Sequence, residues 1–133
     1  MSTDSSGERL LTELDHVRLN RLLGRHHQPD LDEVLAQTAV VASHEVTADT
    51  VTMNSRVEVS DLASGRRQIL TLCYPQDADP AQGRISVLSP AGAALIGRRA
   101  ASLVAWQQPG GQVTRVRLVR ILFQPEASGD YLA

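Results

Sequence analysis

Lysine is absent from this 133-residue chain, and all thirteen basic side chains are arginine. That excludes Schiff-base chemistry and a P-loop lysine. Aromatic residues make up only 3%, which argues against an aromatic-lined ligand pocket and leaves the core to Leu, Val, Ile and Ala. The single cysteine, Cys73, cannot form an internal disulfide, which fits a reducing compartment. It lies in an apolar stretch and reads as core rather than as a reactive thiol. No apolar run approaches the ~20 residues of a membrane span, and the polar start MSTDSSGE has no signal-peptide character. A cytoplasmic location is expected. The net charge of −2 supplies no general drive toward nucleic acid, so direct sequence-specific nucleic-acid binding is not expected. No serine sits in a G-x-S-x-G elbow, and no cysteine or third histidine accompanies His26 and His27. His16 and His44 are isolated. The expectation is therefore no catalytic residue, no metal and no cofactor.

What is present is enough for a core: 42% of the residues are hydrophobic, in a chain long enough for one compact domain and an appendage. The clearest stretch is ISVLSPAGAALIG, residues 85–97. Ile85, Val87 and Leu88 carry strand propensity. Ser89 is a good N-cap and Pro90 suits the first helical position. Ala93 to Ile96 form a small apolar helix surface, and Gly97 can take the left-handed position that ends it. The exposed Ser89–Pro90 corner is a candidate docking point.

In chain order, residues 1–7 read as frayed and 8–11 as a short strand. Thr12 with Asp15 resembles a capping box, opening a helix over 13–23 with Leu14, Val17, Leu22 and Leu23 on one face. Gly24 stops it, and residues 25–29 form a loop. A second helix is predicted over 30–42, with Leu31, Val34, Leu35, Thr38 and Val41 or Ala42 as its stripe. Its first turn carries Asp30, Asp32 and Glu33, which suit a helix N-terminus. The two helices should pair as a short antiparallel hairpin with His26 and His27 at its solvated tip. After a polar connector the period becomes two. Strands over 51–62 and 66–74, turned at Ala63-Ser64-Gly65, predict a β-hairpin. A third strand covers 103–106, with Trp106 as a partly buried anchor. The last covers 113–123. Its alternation slips between Val116/Leu118 and Ile121/Phe123, and a β-bulge near Val119 reconciles the halves. The expected fold class is α+β: a helical hairpin, then a twisted, mainly antiparallel sheet with one packed helix.

The blocks VTMNSRV (51–57), TLCYP (71–75), SVLSPAGAALIG (86–97), WQQPGG (106–111) and QPEASGDYL (124–132) occur together in order and spacing. They resemble the Rnk family, bacterial regulators of nucleoside diphosphate kinase, which shares its C-terminal domain with the transcript-cleavage factors GreA and GreB. The resemblance implies an FKBP-like domain over 50–133 and an N-terminal coiled coil within 1–49. It further implies a non-enzymatic transcription regulator that binds RNA polymerase near its secondary channel, competes with Gre-type factors, and regulates nucleoside diphosphate kinase levels. Ser89, Pro90, Ala91 and Gly92 match the docking corner, and Arg98 and Arg99 follow it. Two roles stay open for those arginines: complementing the helix C-terminus, or pairing with acids on a partner. The tip acids Asp30, Asp32 and Glu33 invite a cleavage role, but the hairpin is several-fold too short to reach a catalytic metal. Prolyl isomerisation, suggested by the fold, and direct contact with the kinase are the alternatives. Two departures stand out: Ala101-Ser102 replaces a Gly-Asp turn, and the last strand carries Arg115, Arg117 and Arg120 where the family is more acidic.

Overall fold

The computed structural model describes residues 9–130; the leader 1–7, Glu8 of the first predicted strand, and residues 131–133 lie outside them. The elements run β1 (Leu10–Thr12), α1 (Glu13–Leu23), α2 (Pro29–Gln37), β2 (Ala39–Val41), β3 (Arg56–Asp61), β4 (Arg67–Cys73), β5 (Arg84–Ser86), α3 (Pro90–Leu95), β6 (Leu103–Gln107) and β7 (Val113–Phe123). Strands β3 to β7 form one sheet in the order β5-β4-β3-β7-β6, antiparallel except where β5 runs parallel to β4. Leu19, Leu31 and Leu35 from α1 and α2 share a core with Val57, Val59, Leu70, Leu72, Val104, Val116 and Leu118 of the sheet and Leu95 of α3. The α+β expectation holds. No helix among the described residues is long and apolar enough to cross a membrane.

Helix α1 has the predicted bounds, and Thr12 caps it: its hydroxyl accepts from the Asp15 N–H at 3.0 Å. The buried face differs from the expected stripe. Asp15 and Leu19 are buried, whereas Val17 is 47% exposed. Helix α2 ends five residues earlier than predicted, at Gln37. Thr38 turns extended, and Ala39–Val41 pair in parallel with Leu10–Thr12. Val40 and Val41 are stiff at χ1 and favour the ladder once a partner strand is present.

Strand β3 starts at Arg56 and not at Val51. Residues 51–55 are instead a buried loop whose donors are satisfied individually: Val51 N–H by the Arg98 carbonyl, Met53 N–H by the Asp15 carboxylate, Asn54 N–H by the Leu72 carbonyl. Asn54 takes φ +68°, which Asn tolerates better than most residues. On β7, Glu58 pairs with Arg120 and Val59 with Leu118, so Val119 is the extra residue of a bulge where the sequence pattern placed it. A second register shift, between Val57↔Ile121 and Arg56↔Phe123, makes Leu122 extra as well.

The turn at Ala101 carries strain. Its φ is +75°, although its N–H reaches the Leu118 carbonyl at 2.7 Å. A left-handed non-glycine residue costs about 1–2 kcal/mol, and glycine returns part of that as unfolded-state entropy. Ala101→Gly should therefore stabilise the protein by about 0.5–1 kcal/mol. Urea unfolding should show a higher midpoint at unchanged slope; an unchanged or lower midpoint would contradict it.

Candidate protein-docking site

The corner after β5 is built by short-range hydrogen bonds. The Ser89 hydroxyl accepts from the Gly92 N–H at 3.1 Å and donates to the Ser86 carbonyl at 2.6 Å. The Ser86 hydroxyl accepts from the Leu88 N–H at 3.0 Å. Pro90 then occupies the first turn, and Gly97 at φ +79° closes the helix. Ser89, Pro90 and Ala91 are half-buried, which leaves each some surface. Gly92 is buried: a Cβ there would lie 2.1 Å from the Ser86 carbonyl oxygen. Gly92 therefore offers a partner little surface, and its lack of a side chain lets α3 close on β5.

The two arginines after α3 separate. The Arg98 Nε donates to the Ala94 carbonyl at 3.4 Å, which complements the helix C-terminus. Arg99 is exposed and pairs with Asp49 at 3.3 Å. The Thr47 hydroxyl first, and Arg99 to a smaller degree, hold the Asp49 carboxyl below the usual carboxylate range. A residue absent from the sequence expectation does more at this helix end. The Arg9 Nη1 donates to the carbonyls of Ala93 and Ile96 at 2.7 and 3.0 Å. Burial, followed by the nearby Arg98 charge, brings Arg9 down to about 10, so it remains cationic at neutral pH.

The hairpin tip is drawn onto the corner. Gln28 caps α2, its Oε1 accepting from the Asp30 N–H at 3.0 Å, while its Nε2 donates to the Leu88 carbonyl next to Ser89. Asp30 and Glu33 consequently line one open groove of ≈320 Å³ with Arg9, Pro90, Ala94 and Trp106. His26, His27 and Asp32 are exposed. Among the described residues no three His, Cys, Asp or Glu side chains converge on a metal position. Gln28 carried no usable sequence signal, because glutamine is not among the favoured N-caps. A second cleft of ≈290 Å³ opens between β3, β4, β6 and β7, with Trp106 as the only aromatic among its lining residues. Cys73 is buried, and burial pushes its thiol up, consistent with a core role.

A buried polar cluster ties α1 and the segment after β7 to the loop before β3. The Asp15 carboxylate accepts from the Met53 N–H at 3.0 Å, and the Thr52 hydroxyl donates to Glu126 at 2.7 Å. Gln124 donates to the carbonyls of Thr47 and Thr50 at 2.8 and 2.7 Å. The predicted capping box is thus only half formed, with the Asp15 side chain committed to Met53. Burial first, and the Asp15 charge second, push Tyr74 up to about 12.

Comparison with known proteins places this geometry. Residues 46–123 match the family described as "Transcription elongation factor, GreA/GreB, C-term". The chain is 35% identical over 129 residues to the regulator of nucleoside diphosphate kinase of Escherichia coli (strain K12), covering 92% of this chain and 95% of that one. It is 33% identical over 94 residues to transcription elongation factor GreA of Nitratidesulfovibrio vulgaris, covering 71% of this chain and 58% of GreA. A solved structure, the prokaryotic transcription elongation factor GreA/GreB from Nitrosomonas europaea, is similar at 38% identity and a TM-score of 0.74, covering 87% of this chain and 98% of that chain.

Proposed function

The chain belongs to the GreA/GreB transcription elongation factor C-terminal family, and on that basis we propose that it is a non-enzymatic transcription regulator that docks on RNA polymerase near the secondary channel. There it competes with Gre-type cleavage factors without cleaving RNA itself, and acts on nucleoside diphosphate kinase through expression. The finer structural counterparts belong to the same proposal: an FKBP-like domain over 50–133, and a truncated coiled coil within 1–49. A cytoplasmic location goes with them.

One observation carries this reading. The tip of the helical hairpin is bonded to the docking corner through Gln28, so that Pro90, Asp30 and Glu33 form one continuous surface. Helices of 11 and 9 residues reach only about 16 and 14 Å. Their acids therefore belong to the rim surface rather than to a distant catalytic centre. Their favourable charge at a helix N-terminus is compatible with this.

The test uses core RNA polymerase with and without a competing GreA. Pro90→Arg is the informative variant, because Ser89→Arg would also remove the cap. Arginine is tolerated in a first turn, and Asp30 and Glu33 beside it offset its charge. Wild-type protein should bind and lower GreA-stimulated cleavage, and should stimulate none alone. Pro90→Arg should weaken binding at least about tenfold, equivalent to about 1.4 kcal/mol, at an unchanged thermal midpoint. Equal affinity would remove the corner from the interface. Absence of wild-type binding, or co-purification of the kinase without polymerase, would overturn the polymerase reading.

A further inference from the structure

The charge of this chain is sorted by the fold in a way its total conceals. On β7 the buried residues Val116 and Leu118 and the partly buried Ile121 face the core. The bulge at Val119 therefore leaves Arg115, Arg117 and Arg120 together on the opposite, outer face of the sheet, and the second extra residue, Leu122, brings Phe123 onto that face as well. Register adds Arg56, which lies across from Phe123, and Arg67, which pairs with Ser60, itself across from Arg117. Glu58 is the single acid that the strand alternation puts on this face. It is already engaged by both Arg67 at 3.2 Å and Arg120 at 2.8 Å. Arg84, at the β5 edge beside Thr71, is bridged through its backbone to Asp79 and stands apart from this group.

Five guanidinium groups against one carboxylate, on a protein of net charge −2, are not neutralised by the fold. The cross-strand neighbours of Arg115 and Arg117 are Ala105, Leu103 and Ser60, none of them acidic. Arg56, Arg115 and Arg117 make no ion pair among the described residues. Apolar side chains lie among them: Leu103 is 51% exposed opposite Arg117, Phe123 44% opposite Arg56, and Ile69 54% opposite Glu58.

We propose that this outer sheet face binds single-stranded nucleic acid, with Arg115, Arg117 and Arg120 on its phosphates and Phe123 under a base. The three arginines on β7 stand at two-residue steps of about 6.8 Å once the bulged Val119 is passed over. A straight row of this kind suits an extended, unstacked strand, whose phosphates can follow the sheet and whose bases are free to stack on an aromatic ring. Guanidinium forks suit phosphate oxygens. A cationic track beside an exposed aromatic is the arrangement that holds a single strand without reading its sequence. A duplex fits less well. The face carries no helix or ribbon that enters a groove, and a base reaches Phe123 only when unpaired.

The experiment is fluorescence anisotropy of the full chain with a labelled mixed-sequence 12-mer, as single-stranded RNA, single-stranded DNA and duplex DNA, at 50 and 200 mM salt. Both single strands should bind more tightly than the duplex and weaken with salt. The double variant Arg115→Thr/Arg117→Thr should lose at least about tenfold in affinity, and its log–log salt slope should shrink by about 1.4, or 0.7 for each phosphate contact removed. Lysine at both positions should restore most of the binding. Phe123→Ser should lose about fivefold or more while keeping the salt slope. Pro90→Arg should bind the oligonucleotides as wild type does, which separates this surface from the polymerase corner. No binding of any strand at 50 mM salt would overturn the proposal. So would a duplex bound as tightly as the single strands. So would a double variant that keeps its oligonucleotide affinity but loses capture by polymerase, since the face would then be a protein surface.

Discussion

Gly92→Ala should cost the protein about 3 kcal/mol, at the upper end of overpacking penalties. The added Cβ would sit 2.1 Å from the Ser86 carbonyl oxygen and 2.8 Å from both the Ser86 carbonyl carbon and the Val87 Cα. All three are backbone atoms, so no side-chain rotation relieves the contact. Neither backbone is free to retreat. Ser86 pairs with Cys73, and the Val87 N–H is held by the Cys73 carbonyl at 2.9 Å. On the other side, the Ser89 hydroxyl pins the first turn of α3 to the same Ser86 carbonyl. A domain with about 5–15 kcal/mol of total stability loses a large fraction of it, and the thermal midpoint should fall by about 10 °C. Urea unfolding of the full chain measures the loss. A cost below about 1 kcal/mol would mean that α3 slides off β5 freely, and that the Ser89–Pro90 corner is not rigid.

The second large effect is on the pH dependence of stability. Asp15 is fully buried, and its carboxyl is pushed up to about 6. Burial is the main cause, and the Glu126 carboxyl adds to it. The Met53 N–H, Arg18 and the Thr12 hydroxyl act in the opposite direction, and Tyr74 faces the same cluster. The folded protein therefore holds this proton more tightly than the unfolded chain, whose value is near 3.9. The stabilisation is complete below about pH 4 and is lost as pH rises through about 6, amounting to about 3 kcal/mol. The sign is opposite to that of a salt-bridged carboxylate, which loses stability on acidification. Asp15→Asn keeps an acceptor for Met53 and removes the titration. The wild-type minus variant difference in unfolding free energy should therefore fall by about 3 kcal/mol between pH 4 and pH 7. A difference flat across that window would show that Asp15 titrates normally.

The parts of the fold that could be read directly are those settled within a few residues. Ser89, Pro90 and Gly97 specify α3 by capping chemistry alone, and each occupies the position expected of it. Thr12 does the same for the start of α1. The slip in alternation between Leu118 and Ile121 required an extra residue, and Val119 is that residue. The resemblance marked Ala101-Ser102 as a turn that must either differ or bear strain, and Ala101 has a positive φ.

Local pattern and fold diverge where a distant segment competes for the same residues. Residues 38–42 continue an apolar helical stripe, yet Ala39–Val41 are claimed by β1, almost thirty residues earlier. Residues 51–55 alternate like a strand, but their N–H groups bond Asp15, Arg98 and Leu72. Val17 and Leu19 are equally apolar, and only the packing of α1 on its neighbours decides that Leu19 is the buried one. The candidate site divides in the same manner. The Ser89–Pro90 corner was legible, whereas the burial of Gly92, the Arg9 contacts to α3 and the Gln28 link to Leu88 were not.

By itself, then, the sequence determined the α+β class, the capped α3 corner, the bulge and the family, because capping, periodicity and motif spacing are local or additive along the chain. Tertiary structure alone decided which carboxylate is buried, which glycine separates two backbones, and where the charge lies. Net charge is a sum that carries no position. Pairing β3, β4 and β7 in register gathers Arg56, Arg67, Arg115, Arg117 and Arg120 on one face, because strand alternation sends every second residue to the same side and the bulge at Val119 carries that side on to Arg120.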